Sequence, residues 1–255
     1  MSGSASALAP QVPATPSRAV MRLVERAVVD FELIRPGDRV AVGVSGGKDS
    51  LLLLAALSEL SARADLPFEL RAVHLDQHQP GFDRPGFDRA LARLGATCEV
   101  ISADTWSVVS EKLRPGQIPC ALCGRMRRGI LNRWCAEHGF NRLALGHHLD
   151  DAAETFLLNL LYGRRLDPLK PATPASDLPV TTIRPLILVE ERKVVAWAAE
   201  HAVPTVPCPV CDSFPESRRR DVKGVLAELS RIQPEVLASV RQALYGGAPG
   251  DASEH

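Results

Sequence analysis

The sequence has no net charge: its 255 residues include 30 Lys and Arg against 30 Asp and Glu. The whole-chain positive excess seen in many nucleic-acid binders is missing, although a zero average leaves room for local patches. No run of 18 apolar residues occurs, so no membrane-spanning helix is expected. The opening MSGSASALAPQVPATPSRAV lacks the basic start and continuous apolar stretch of a secretory signal. It reads instead as a disordered tail over residues 1–20, and the protein as cytoplasmic. No internal repeat is visible. What remains is ordinary globular composition, 45% apolar and 24% charged, with length for one full core. Six cysteines in a cytosolic chain direct attention to metal or redox chemistry rather than disulfides.

Hydrophobic periodicity alternates between strand and helix. Short apolar runs at Val40–Val44, Phe68–Leu75, Ala96–Ile101, Arg142–Leu145 and Thr181–Arg184 read as strands. Helical spacing covers Val20–Phe31, Lys48–Leu60, Arg84–Leu94, Leu122–His138, Leu149–Tyr162 and Val189–His201. This alternation predicts an α/β fold, a parallel twisted sheet flanked by helices. The Pro-rich stretches 163–180 and 203–217 read as loops, the second wrapping back over the core. The tail after Tyr245 is Gly- and Ala-rich and reads as frayed.

Two strand ends carry the sharpest signals. Val40–Val44 runs into Ser45-Gly46-Gly47-Lys48-Asp49-Ser50 and then a helix. Glycines let backbone N–H groups approach an anion, and the helix N-terminus adds partial positive charge. Lys48 offers a point charge, while Ser45 and Ser50 offer hydroxyls. The loop is too short for the Walker spacing, so its own message is a phosphate or pyrophosphate site. The second signal is Gly146-His147-His148-Leu149-Asp150-Asp151, where carboxylates could hold Mg²⁺ bridged to phosphates. Part of it has a plainer explanation, since Asp151 with Glu154 fits a helix capping box.

Cys120-Ala121-Leu122-Cys123 and Cys208-Pro209-Val210-Cys211 are paired at metal-ligand spacing. Together they suit tetrahedral zinc or an iron–sulfur cluster, and spacing does not separate the two. Cys98 and Cys135 read as structural. Residues 114–142 hold six Arg and one Glu, and 216–223 hold four basic and two acidic residues. About +7 is therefore concentrated beside the cysteine pairs, with −7 spread over the remainder. An anionic partner such as a phosphate backbone fits that split.

These residues resemble the tRNA 2-thiocytidine synthetase family of PP-loop ATPases over roughly residues 20–245. The shared motifs are Ser45–Ser50, Leu75-Asp76-Gln77 with Gln79-Pro80-Gly81-Phe82, and Cys120–Cys123 leading into Arg127-Arg128-Gly129-Ile130-Leu131. Gly146–Asp151, Asn159 with Tyr162-Gly163, Arg184-Pro185-Leu186 and Pro207–Cys211 complete the set. The loop alone is shared by several enzyme classes; its combination with both cysteine pairs is highly specific.

The resemblance implies a nucleotide-binding domain over 21–202, a C-terminal extension over 203–245 completing the cluster and tRNA site, and a second disordered tail over 246–255. It implies Mg²⁺, ATP and a [4Fe–4S] cluster held by Cys120, Cys123 and Cys208, leaving one iron open. Cys211 matches a family cysteine not usually counted among the ligands. The implied reaction converts cytidine 32 in the tRNA anticodon loop to 2-thiocytidine. ATP adenylates O2 of the base, and cluster-bound sulfide attacks C2. Lys48, Asp49, Asp150 and Asp151 are the catalytic candidates; Ser45–Ser50, Gly146 and His147 are the nucleotide-binding ones. Arg125, Arg127, Arg128 and Arg218–Arg220 would hold the tRNA backbone. The implied partners include a sulfur donor such as a cysteine desulfurase and a second copy in a homodimer. Other readings are a lysidine synthase, a uridine thiolase, or a zinc-stabilised RNA-binding module without sulfur transfer.

Overall fold

The computed structural model describes residues 14–113, 119–209 and 218–246, with the backbone alone for Cys120 and Ala121. Strands β1 (Arg39–Gly43), β2 (Glu69–Asp76), β3 (Glu99–Ser102), β4 (Arg142–Ala144), β5 (Ala172–Pro174) and β6 (Thr181–Ile183) form a sheet of order β3-β2-β1-β4-β6-β5. All neighbours are parallel except the β5–β6 pair. Val40, Ala41 and Val42 of β1 are all fully buried. A strand covered on both faces must be apolar on both, which is why β1 reads as a run and not an alternation.

The helices are α1 (Arg18–Asp30), α2 (Lys48–Ser61), α3 (Arg84–Leu94), α4 (Thr105–Lys112), α5 (Cys120–Glu137), α6 (Leu149–Leu161), α7 (Glu191–Glu200), α8 (Arg218–Ile232) and α9 (Val236–Tyr245). In α2, Leu51–Leu54 are all buried, so this turn of the helix is apolar on every side and sits inside the main core. Leu131, Trp134 and Cys135 of α5 pack with Phe140 and Leu143 as a second cluster on the other face of the sheet. From β1 the chain passes to β2 on one side, while β4 lies on the other side. The crevice at the C-terminal ends of β1 and β4 is therefore the topological switch point, where open α/β sheets take ligands.

Several expectations need correction. Helix α1 begins at Arg18 with Ser17 as its cap, and Ala14 is buried, so order starts inside the stretch read as a tail. Strand β3 starts at Glu99, because α3 ends at Gly95 in the left-handed region. Cys98 precedes β3 and packs against the core. The presumed loop 163–180 contains β5, an edge strand that tolerates Pro174. Helix α8 presents only Val222 and Leu226 as buried positions, too narrow a stripe to stand out. Among the described residues no helix is long and apolar enough to cross a membrane.

Candidate active site

The loop after β1 is folded onto itself. Ser45 N donates to Ser50 Oγ (3.1 Å), the two hydroxyls lie 3.2 Å apart, and Ser50 Oγ donates to Gly47 O (2.9 Å). Gly46 takes φ +90°, a conformation L side chains rarely adopt. Gly47 caps α2 without a side-chain hydrogen bond, leaving the first amides of a buried helix turned toward the crevice. Gly146, beyond β4, faces this helix start directly. A Cβ there would lie 2.9 Å from the carbonyl carbon and oxygen of Asp49. The two predicted motifs thus meet backbone to backbone.

Between them lies a cavity of about 370 Å³. Its lining includes Ser45, Gly47, Asp49, Ser50, Gly146, His147 and Asp151 together with Gln79, Arg127, Arg128, Cys208 and Arg219. Burial pushes the His147 imidazole down to about 4, so it is neutral near pH 7. Its Nδ1 is buried with no hydrogen-bond partner among the described residues. Arg184, also buried, is lowered to about 10.

The predicted carboxylates separate into different jobs. The capping box of α6 pairs His148 with Asp151, not Asp151 with Glu154: His148 N donates to Asp151 Oδ2 (3.0 Å), and Asp151 N donates to His148 Nδ1 (3.4 Å). Asp150 turns away, its Oδ2 accepting from Glu191 N at the start of α7 (2.7 Å). Lys48 is absent from the cavity lining; its Nζ lies 2.9 Å from both Asp49 and Glu191. Burial opposes the Lys48 charge, but the two carboxylates outweigh it and raise the group. Burial likewise opposes the Glu191 charge, yet Lys223 and Lys48 hold that carboxyl at about 2. Among the described residues no three His, Cys, Asp or Glu side chains converge as a metal site. Asp49 and Asp151 face the cavity, but Asp150 does not join them.

The C-terminal segment closes over the loop. Val206 N donates to Gly46 O (2.9 Å), and Pro209 lies against Gly81. This brings Cys208 into the cavity lining, where it shares Gln79 as a partner with Cys123 of α5. Gln79 Nε2 donates to Cys123 Sγ (3.5 Å), and Cys208 Sγ donates to Gln79 Oε1 (3.8 Å). Cys120 is the first residue of α5, one helical turn before Cys123. Cys211 lies outside the described residues. Cys98 and Cys135 are different: burial pushes both thiols up to about 12, which keeps them protonated, as structural cysteines should be.

Arg127 and Arg128 reach the cavity from α5. Of the run at the start of α8, Arg219 pairs with Asp151 and with Glu154 (2.7 Å), fastening α8 to the first turns of α6. Gln77, Gln79 and Glu191 were given no role from sequence. The first two lie just beyond β2 and within a shared motif, and both their strand-end position and that motif were available signals.

The PP-loop domain family matches residues 17–206. A tRNA-cytidine(32) 2-sulfurtransferase of Alkalilimnicola ehrlichii is 40% identical over all of this chain and 85% of that protein. One from Methylococcus capsulatus is 40% identical over 91% of this chain and 81% of its own. Among solved structures, the U34-tRNA thiolase NcsA from Methanococcus maripaludis with its [4Fe–4S] cluster superposes with TM-score 0.69 and 26% identity. It covers 89% of this chain and 76% of its own. With the phosphate loop, the strand-end His–Asp motif and the paired thiols sharing one crevice, the chain belongs to the tRNA-cytidine(32) 2-sulfurtransferase family of PP-loop proteins.

Proposed function

We propose that this protein is an ATP-dependent tRNA sulfurtransferase that converts cytidine 32 to 2-thiocytidine. One observation carries the reading: Gln79 contacts the sulfurs of both Cys123 and Cys208, and Gln79, Cys208 and the phosphate loop line the same cavity. A carbonyl oxygen is a poor leaving group, so replacing O2 of cytosine by sulfur requires that oxygen to be activated. A nucleotide site and a sulfur-binding site must then face the same base. The cavity volume is within the range of small-molecule sites.

Under this reading residues 21–202 are the nucleotide-binding unit and 203–245 the extension that brings Cys208. The amides at Gly47 and the start of α2 receive the ATP phosphates, with Ser45 and Ser50 hydroxyls beside them. Transfer of AMP to O2 releases pyrophosphate against this loop, and Lys48 leaves Glu191 to neutralise it. Asp49 and Asp151, which line the cavity, are the carboxylates that would hold Mg²⁺. Asp150 acts at one remove, by fixing Glu191. Neutral His147 offers hydrogen bonding without adding charge. Soft thiolates suit an iron–sulfur cluster, and Cys120, Cys123 and Cys208 would hold a [4Fe–4S] group. When bound, that group would carry the sulfide that replaces O2, which leaves as part of AMP. The anticodon loop presents an unpaired base cheaply, and Arg125, Arg127 and Arg128 would receive its backbone. A sulfur donor of the cysteine desulfurase kind and a homodimer belong to the same proposal.

The test is nucleoside analysis of tRNA incubated with ATP, a sulfide source and anaerobically purified protein. Appearance of 2-thiocytidine at position 32 is expected. A colourless protein with stoichiometric zinc and no labile sulfide would instead leave an RNA-binding module.

The tRNA surface gives a separate prediction. Charge reversal of both Arg127 and Arg128 should weaken tRNA binding at low salt. It should also flatten the log–log salt dependence by about one to two units. The loss for tRNA should exceed the loss for ATP, both read by fluorescence titration. Equal losses would place these arginines at the nucleotide alone.

A further inference from the structure

The two described cysteines of the proposed cluster site come from distant elements, α5 and the segment after α7. Something must bring them together before a cluster is built. Gln79 stands between them, half-buried and lining the cavity, with the donor end of its carboxamide on Cys123 and the acceptor end on Cys208. The two ends of one planar carboxamide thus link the two sulfurs, at 3.5 Å and 3.8 Å. A second glutamine supports it. Gln77 is buried, and its Oε1 accepts from Cys123 Sγ (3.2 Å) and from Thr105 Oγ1 (3.2 Å). Both residues lie just beyond β2, on either side of His78 in the left-handed region, and both amides reach the same thiol.

We propose that Gln79 is a positioning residue for the cluster ligands, and that it donates an N–H to ligand sulfur once they are metallated. This rests on the thiolation reading. The physical reason lies in what metal binding does to the thiols. A metal-bound thiolate has no proton, so the Cys208 contact to Oε1 exists only in the unloaded chain. The Nε2 contact to Cys123 strengthens, because the acceptor becomes anionic. Gln79 thus gauges the site while it is empty and stabilises ligand charge when it is full. Hydrogen bonds to sulfur are among the factors that set cluster potentials, and they favour the reduced, more negative form.

The test uses anaerobically reconstituted full-length protein carrying Gln79→Leu, which keeps the bulk and removes both contacts. Its cluster potential should move to more negative values than wild type, and iron should pass to a chelator on the order of ten-fold faster. Gln79→Asn, which keeps the amide but is one methylene short, should behave the same way. Gln79→Glu, which puts charge beside the sulfurs, should shift the potential further still. In the metal-free, reduced protein, a short bifunctional thiol reagent should link Cys123 to Cys208 more slowly in the Leu variant. Circular dichroism of each variant confirms that it is folded. A Leu variant with wild-type potential, iron retention and cross-linking rate would overturn the role given to Gln79 and leave thiolation intact. A wild-type protein that takes up no iron or sulfide would overturn the thiolation reading, and the Gln79 role with it.

Discussion

Cys208→Ala protein is expected to fold, bind ATP and make no 2-thiocytidine. Cys208 sits in an exposed position on a segment anchored elsewhere. Val203 and Val206 are buried, and Val206 N is hydrogen-bonded to Gly46 O at 2.9 Å. Removing one exposed thiol therefore leaves the backbone that carries it in place. What it removes is a soft ligand contributed from outside α5. Loss of partners that merely support a metal ligand costs roughly 10- to 100-fold in metal affinity or activity. Loss of the ligand itself should exceed that, with iron content and 2-thiocytidine formation falling together. Cys135→Ala is the informative contrast. That thiol is fully buried against the sheet and held protonated, so its loss should lower stability modestly while iron content stays at the wild-type level. Iron analysis and nucleoside chromatography on the two variants check both statements. A Cys208→Ala protein that keeps its iron and still thiolates would remove Cys208 from the site.

The parts of this site legible in the sequence are those set by local backbone geometry. A buried strand, two glycines and a helix start announce an anion site because few other sequences can build one. The strand-end motif Gly146–Asp151 was legible for the same reason, and β4 does lie beside β1. What each carboxylate does was not legible, because partners are chosen by the fold. Asp150 and Asp151 are adjacent in sequence, yet one caps α7 and the other joins the α6 capping box and Arg219. Nothing within residues 146–151 announces Glu191, 41 residues further on from Asp150. The same holds for Lys48, whose ammonium is drawn to that glutamate. The charge split was legible as arithmetic, but its meaning changed. Arg219, counted among cations for a nucleic-acid backbone, is bound to Asp151 and Glu154. The open basic surface is therefore carried more by Arg125, Arg127 and Arg128 of α5 than by that arginine of α8. The zero net charge concealed local pairing as well as a patch.

Gly146→Ala is expected to be among the most damaging small substitutions in the chain, and its cause is space rather than backbone dihedrals. Gly146 has an ordinary φ, but an added Cβ would lie 2.9 Å from the Asp49 carbonyl carbon and oxygen and 3.0 Å from Ser50 N. All three are backbone atoms in the first turn of α2, so no rotamer change relieves the contact. Neither side can withdraw easily. Leu51–Leu54 lock α2 into the core, and Leu145 N is hydrogen-bonded to Ile183 O at 3.0 Å. Overpacking of this kind costs about 1–3 kcal/mol in stability. The strain also falls on the amides that receive phosphate, and displacement of such groups by about 1 Å can cost on the order of 100-fold in rate. Weaker ATP binding and a lower denaturation midpoint should therefore appear together. Gly129→Ala is the control. Gly129 lies within α5, with nothing within 4 Å of an added Cβ. There alanine should stabilise the helix by about 0.5–1 kcal/mol and leave ATP affinity unchanged. If Gly146→Ala bound ATP as wild type does, the close approach of the two motifs would not be what shapes the nucleotide site.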